Sequence, residues 1–148
     1  MFFNAKIFFL LEGKSPAEYV VEKERLIVPS PEEVSAAEGT SLLIATLKSH
    51  KALVDVAGIK LDGSGQRINV LVIAASGGVG HYAVQLAKLG NAHVTGTCRA
   101  RNVEFTKNLG ADEVLDYKTS EDAKLKSPLG QKYDEVVHCA RDISWVYI

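Results

Sequence analysis

The sequence has little cysteine, with only Cys98 and Cys139 among 148 residues. Two unpatterned cysteines do not make the disulfide framework of a small secreted domain, so they indicate a reducing compartment. The four histidines are scattered over different predicted elements, and none is paired with Cys or Asp at the spacing of a zinc site. We therefore predict that the protein binds no metal.

An excess of charge of one sign is also missing, as are long apolar runs. Lys and Arg number 17 against 18 Asp and Glu, for a formal charge of −1, which predicts no nucleic-acid partner. No apolar run approaches the length of a transmembrane segment. The apolar stretch at residues 7–11 is too short for a secretion signal, and no small-residue cleavage site follows it. The sequence thus shows neither a membrane span nor a targeting segment.

What the sequence does contain is a strand, a glycine-rich loop and a helix in direct succession. Residues 70–73 are an unbroken aliphatic run, typical of a parallel strand that is covered on both faces. Residues 75–80 follow with the pattern A-x-G-x-x-G and lead into an apolar helix that ends at Gly90. Gly77 lets a pyrophosphate approach the backbone at the helix start, and Gly80 lets the helix lie close to the strand. This context favours dinucleotide binding over a purely steric use of glycine.

Strands and helices continue to alternate after the glycine loop. We predict a helix at 102–109 and three further strands, at residues 93–97, 113–115 and 135–140. Right-handed crossovers place the last of these strands on the other side of the first, which creates a switch point in the sheet. The glycine loop then faces His138, Cys139 and Ala140 across a cleft, so Cys139 and Ala140 are candidate cofactor-binding residues.

Upstream of the glycine loop the pattern changes to short β pieces at residues 5–11, 17–21 and 26–28. Ser30 and Glu33 have the spacing of a capping box, with Pro31 at the first helical position. A second helix is predicted over residues 41–57, with Leu43, Leu47, His50, Val54 and Ala57 on its apolar face. We expect an α/β fold, a partial doubly wound parallel (Rossmann) sheet at residues 41–148 preceded by a β-rich part at residues 1–40.

The end of the second strand of the predicted sheet bears on the identity of the cofactor. A dinucleotide fold that prefers NAD places an acid here for the ribose hydroxyls, but this chain has Cys98 flanked by Arg99 and Arg101. The guanidinium groups suit the 2′-phosphate of NADP(H), although they could also be solvated loop charges. The missing acid also weighs against a methyltransferase.

Three segments of the chain resemble the zinc-independent quinone and enone reductases of the medium-chain dehydrogenase/reductase superfamily. They are residues 74–88, 109–118 and 132–140, and the likeness is strongest to the plant chloroplast-envelope group. The resemblance implies NADPH-dependent hydride transfer to a quinone or an α,β-unsaturated carbonyl. It also implies a chloroplast location, with the cytoplasm as the alternative, and makes residues 1–40 a remnant of the GroES-like catalytic domain.

The resemblance carries site residues over as well. The pyrophosphate would be held by Ser76, Gly77, Gly78, Val79 and Gly80. Tyr117 would join Arg99 and Arg101 near the adenosine phosphate. No catalytic residue is assigned, because the cofactor supplies most of the chemistry in such an enzyme.

The chain departs from the family pattern in two places and in its extent. Lys48 replaces a threonine that lies near the nicotinamide in the family, and Arg99 replaces a residue that is commonly small. The chain supplies one half of a dinucleotide-binding sheet and a single strand of the other half, so we expect an incomplete enzyme with little turnover that self-associates through its fourth parallel strand. The alternative is a non-catalytic nucleotide-binding fragment or interaction protein.

Overall fold

The computed structural model describes residues 7–9, 23–119 and 124–140. The chain divides into two units, Met1–Ala45 and Thr46–Ile148. The strand predicted at residues 17–21 and residues 141–148 lie outside the described residues.

In the first unit, β1 (Ile7–Phe9) pairs antiparallel with β2 (Ile27–Pro29), and a 3₁₀ turn at Glu24–Leu26 precedes β2. The register places Phe8 opposite Val28. This pairing agrees with the short antiparallel strands expected from the sequence. No helix among the described residues combines the length and the apolar character needed to cross a bilayer.

The start of α1 (Ala36–His50) corrects the predicted capping box. Ser35 and Glu38 form the box: the Ser35 N–H donates to Glu38 Oε2 at 2.9 Å, and the Glu38 N–H donates to Ser35 Oγ at 3.3 Å. The prediction of Ser30 as the N-cap is wrong. The S-x-x-E spacing occurs twice in succession, and the second copy begins the helix because alanines, the best helix formers, follow it.

The second predicted helix differs in the face that it buries. α1 continues into a π-helical turn at Lys51–Val56, in which the Ala57 N–H donates to the carbonyl of Ala52, five residues back, at 3.1 Å. Ser49 and Leu53 are fully buried, whereas Leu47, which was expected inside, is 51% exposed. Leucine and isoleucine occur on several faces of this helix, so periodicity alone did not determine its orientation.

The second unit is built on a four-stranded parallel sheet with the strand order β5-β4-β3-β6. Its strands are β3 (Asn69–Ile73), β4 (His93–Cys98), β5 (Glu113–Asp116) and β6 (Glu135–His138). The helices are α2 (Gly80–Leu89) and α3 (Val103–Asn108), the latter preceded by a 3₁₀ turn at Ala100–Asn102. The predicted α/β class, strand order and switch point are confirmed, although β6 ends two residues before the predicted Ala140.

The core of this unit lies between the sheet and the helices. Val70, Leu71 and Val72 of β3 are completely buried, as a parallel strand covered on both faces should be. α2 contributes small side chains to the same core, among them Ala83 and Ala87. The short side chains allow α2 to lie close to β3.

Candidate functional site

The glycine loop joins β3 to α2 at the carboxyl edge of the sheet. A Cβ atom on Gly80 would lie 2.1 Å from the Ala74 carbonyl oxygen and 2.8 Å from the Ala75 Cα atom, so no side chain fits at this position. A Cβ atom on Gly78, in contrast, would have no atom within 4 Å. The two glycines thus have different surroundings: Gly80 allows close contact between backbones, and Gly78 leaves open space above the loop.

Two hydrogen bonds to one threonine of β4 hold the first residues of the loop. Ala74 has a φ of 60°, a left-handed conformation that costs an alanine about 1–2 kcal/mol. Its N–H donates to Thr97 Oγ1 at 3.1 Å, and the next N–H, of Ala75, donates to the Thr97 carbonyl at 2.8 Å. These bonds offset the strain and direct the chain from β3 across the end of β4.

The start of α2 has backbone donors but no side-chain cap. The N-cap residue is Val79, which makes no capping hydrogen bond with its side chain. The first N–H groups of a helix have no acceptor within the helix, and the helix dipole makes them favourable to an anion. The N–H groups of His81 and Ala83 donate to the Gly77 and Val79 carbonyls, each at 3.0 Å, so the candidate donors are those that precede His81. His81 is not directed to this position, because its Nδ1 lies 2.9 Å from the Gly77 carbonyl oxygen and its ring lies against Tyr82. The geometry fits a phosphate group at the helix start.

Two residues that sequence reasoning missed contact the loop through their side chains. Asn102 Nδ2 donates to Ser76 Oγ at 3.0 Å, and Ser49 Oγ donates to the Val79 carbonyl at 2.8 Å. Both contacts join residues at least 26 positions apart in the chain. No local pattern reveals such pairs, although Asn102 was expected at the start of α3. Lys48, next to Ser49, is exposed.

The turn after β4 brings together two of the three residues that were expected near an adenosine phosphate. Arg99 Nε donates to the Tyr117 hydroxyl at 2.7 Å, and this hydrogen bond raises the pKa of the Arg99 guanidinium. Lys118 Nζ lies 5.7 Å from the centre of the Tyr117 ring. Arg101 is exposed in the 3₁₀ turn Ala100–Asn102. Asp116 is the nearby acid, so the group carries a net positive charge.

Cys139 lies on the other side of the loop, after the end of β6. Its N–H donates to the Ile73 carbonyl at 3.1 Å, next to the first residue of the glycine loop. Burial raises the pKa of the Cys139 thiol to about 11. Cys139 and Ala140 are partly buried, whereas His138 is exposed. Cys139 and Ala140 therefore follow the end of β6 beside the end of β3, where the glycine loop begins.

The donors around the loop suit the phosphate groups of a dinucleotide. The uncapped start of α2 and the hydroxyl of Ser76 belong to the loop itself, and the guanidinium of Arg99 lies on the neighbouring turn. They are N–H and O–H donors with a permanent positive charge at one end, the chemistry that binds pyrophosphate and phosphate monoesters. In the described part of the chain, no three His, Cys, Asp or Glu side chains are grouped so that they could hold a metal ion.

Comparison with known proteins relates this site to a group of oxidoreductases. The family of zinc-binding dehydrogenases matches residues 78–144. A chloroplastic quinone-oxidoreductase homologue of Spinacia oleracea is 66% identical over 133 residues, which are 90% of this chain and 40% of the relative. The chain thus spans well under half the length of that curated relative.

Two solved structures share the fold at similar levels of sequence identity. The quinone oxidoreductase from Coxiella burnetii is 34% identical with a TM-score of 0.66, over 76% of this chain and 33% of that one. A mycobacterial protein solved in complex with NADPH is 32% identical with a TM-score of 0.56, over 64% of this chain and 28% of that one.

Proposed function

Because the chain belongs to the zinc-independent quinone oxidoreductases of the medium-chain dehydrogenase/reductase superfamily, we propose that it binds NADPH for the reduction of quinones or α,β-unsaturated carbonyls. The observation that carries the choice of NADPH is the pair of Arg99 and Tyr117 beside the end of β4, where an NAD-binding fold has an acid. Arg101 on the same turn and Lys118 beside Tyr117 add to the positive charge.

Each part of the site has a separate role in this proposal. The backbone N–H groups of Gly78, Val79 and Gly80, with the Ser76 hydroxyl, hold the pyrophosphate at the start of α2, and Gly77 has no side chain that would keep it from the loop. The guanidinium groups of Arg99 and Arg101 hold the 2′-phosphate, and the Tyr117 hydroxyl keeps Arg99 in place. Cys139 and Ala140 border the cleft on the other side. The bound cofactor supplies the hydride, and these residues orient it.

The location and the partners of the protein are proposed from its relatives and its charge. The spinach relative is named as chloroplastic, so we propose a chloroplast location for this chain. Its partner is a small-molecule quinone or enone, and the near balance of charges argues against nucleic acid. We also propose a homo-oligomer, in which the edge strand β6 pairs with a strand of a second copy.

Nucleotide titration tests the choice of cofactor. We expect NADPH to bind more tightly than NADH, and Arg99→Ala to weaken NADPH binding by about ten- to a hundredfold, since a charge-assisted bond contributes about 1.5–3 kcal/mol. Arg101→Ala should act in the same direction, and NADH affinity should change little in either variant. Arg67→Ala is the matched control, because Arg67 precedes β3 and lies near the amino-terminal end of that strand, whereas the glycine loop follows its carboxyl end. Equal affinities for the two nucleotides, unchanged by both substitutions, would contradict the proposal.

Turnover is a separate measurement. Quinone-dependent consumption of NADPH by the 148-residue chain would support the reductase part of the proposal. No NADPH consumption with a panel of small quinones and enones would leave nucleotide binding as the function of this chain.

A further inference from the structure

We infer that Asn102 is a positioning residue, which orients the Ser76 hydroxyl toward the nucleotide pyrophosphate and so makes the glycine loop and the arginine-bearing turn act as one unit. The inference rests on the proposed function, because it concerns the same nucleotide site. It adds Asn102 to the site and gives it a role that the glycine pattern does not contain.

Asn102 makes hydrogen bonds through both its backbone and its side chain. Its backbone N–H donates to the Arg99 carbonyl at 2.8 Å, which closes the turn after β4. Its side-chain Nδ2 donates to Ser76 Oγ at 3.0 Å, in a contact that is partly buried. The side chain therefore connects the turn that carries Arg99 and Arg101 with the loop at the start of α2.

The direction of this hydrogen bond determines what Ser76 can do. Because Ser76 Oγ accepts a hydrogen from Asn102, the hydroxyl keeps its own hydrogen to donate to another acceptor. Hydrogen bonds in series polarise one another, so the hydroxyl becomes a better donor. Phosphate oxygens carry negative charge and accept such hydrogens, in bonds that are shorter and stronger than neutral ones.

Beside Ser76, a backbone donor of the glycine loop is already used within the loop. The Gly77 N–H, next to Ser76, already donates to the Ala74 carbonyl at 2.9 Å. It is therefore engaged within the loop, and the Ser76 hydroxyl supplies a donor at the same place.

The same turn orients a second hydroxyl in the same way. Tyr117 OH accepts from Arg99 Nε at 2.7 Å, so its own hydrogen is also left for an acceptor. Arg99 and Asn102 thus fix the direction of two hydroxyls, one beside the pyrophosphate and one beside the adenosine phosphate. A pyrophosphate is common to NADPH and NADH, whereas the 2′-phosphate is present only in NADPH. Asn102 should therefore affect both nucleotides equally, unlike Arg99.

A double-mutant cycle tests the inference. In the 148-residue protein, Asn102→Ala and Ser76→Ala should each weaken the binding of NADPH and of NADH by about tenfold, the effect of one lost charge-assisted hydrogen bond. The double variant should bind no more weakly than Ser76→Ala alone, because Asn102 acts through Ser76. Asn108→Ala is the matched control, since Asn108 is exposed at the end of α3.

An isosteric variant separates positioning from a structural role. Asn102→Asp keeps the shape of the side chain but must accept the Ser76 hydrogen instead of donating one, so it should bind both nucleotides more weakly than Asn102→Ala does. Melting temperatures measured without nucleotide show whether each variant is folded, and Asn102→Asp replaces Asn102→Ala in the cycle if the latter unfolds.

The outcomes distinguish this inference from the proposed function. Additive losses in the double variant, unchanged binding in Asn102→Ala, or tighter binding in Asn102→Asp would each overturn the role of Asn102 and leave the NADPH proposal intact. A cycle as expected, together with equal affinity for NADPH and NADH, would support Asn102 and overturn the NADPH preference. Wild-type protein that binds neither nucleotide would overturn both.

Discussion

At the scale of single residues, two glycines of the same loop have different surroundings. Gly80 has backbone atoms within 3 Å of where a Cβ would be, while Gly78 has open space on that side. The pattern A-x-G-x-x-G contains Gly77 and Gly80, and Gly78 stands at one of its variable positions. The close packing expected of Gly80 agrees with its surroundings, whereas the open space beside Gly78 does not follow from the pattern.

We expect Gly80→Ala to destabilise the protein and Gly78→Ala to leave its stability nearly unchanged. In Gly80→Ala the new methyl group overlaps the Ala74 carbonyl, so α2 must move away from β3 at a cost of about 3 kcal/mol. Gly78→Ala should stay within about 0.5 kcal/mol. Urea denaturation followed by circular dichroism measures both. Equal stability of the two variants would show that α2 can shift without cost.

The thiol of Cys139 should be almost unreactive in the folded protein. Burial raises its pKa from 9.0 to about 11, and each unit lowers the thiolate fraction at pH 8 about tenfold, so alkylation should slow roughly a hundredfold. The measurement uses Cys98→Ser, which leaves Cys139 as the single cysteine of the sequence, and follows iodoacetamide labelling by mass spectrometry. The rate should rise toward pH 11 and should rise at once in urea. Fast labelling of folded protein at pH 8 would contradict the burial of this thiol.

At the scale of helices and strands, the sequence was sufficient to predict the elements that are buried on both faces. The aliphatic run of β3, the β/α alternation after it and the strand order all agree with expectation, because parallel strands need apolar residues and right-handed connections. Helix starts were harder. Ser30 and Ser35 have the same S-x-x-E spacing, and only the following alanines favour the second.

The two serines make a matched pair for measuring the capping box. Ser35→Ala should cost about 1 kcal/mol, because it removes the acceptor for the Glu38 N–H, whereas Ser30→Ala should have no measurable effect on α1. The Ser35 hydroxyl also lowers the pKa of Glu38, so the substitution should move the titration of that carboxyl upward. Helical circular dichroism as a function of temperature, with NMR titration of Glu38, provides the test. A larger effect of Ser30→Ala would restore the capping box first predicted.

The sequence predicts those parts of the candidate site that depend on residues close together in the chain. The glycine loop and the two arginines follow directly from strand ends, and the sequence locates both. Ser49 and Asn102 were missed because their contacts with the loop depend on how α1 and the turn after β4 are placed in three dimensions. Arg99 shows a third case: it was expected to bind phosphate, but its bond to Tyr117 through Nε is set by β4 and β5 lying side by side.

At the scale of the whole molecule, the described sheet has two different edges. β5 forms one edge; its Glu113 is buried and accepts hydrogen bonds from Thr95 and Ser127, and its other side chains are buried or half-buried. β6 forms the other edge and presents Val136, which is 42% exposed. An exposed β-branched residue on an edge strand permits pairing with another chain. Of the two edges, β6 is the one suited to self-association.

We therefore expect the protein to self-associate through β6, with Val136→Lys weakening the association. In the described residues β6 pairs with β3, and the side of β6 away from β3 is where a strand of a second copy would add. A lysine at Val136 opposes pairing because like charges on two adjoining copies of β6 repel each other, which should weaken association about fivefold. Leu89→Lys is the control, since Leu89 is 60% exposed but lies on α2, away from both sheet edges. Sedimentation velocity over a range of concentrations gives the association constant of each variant. A monomer at all concentrations, or equal weakening by both substitutions, would rule out β6 as the contact.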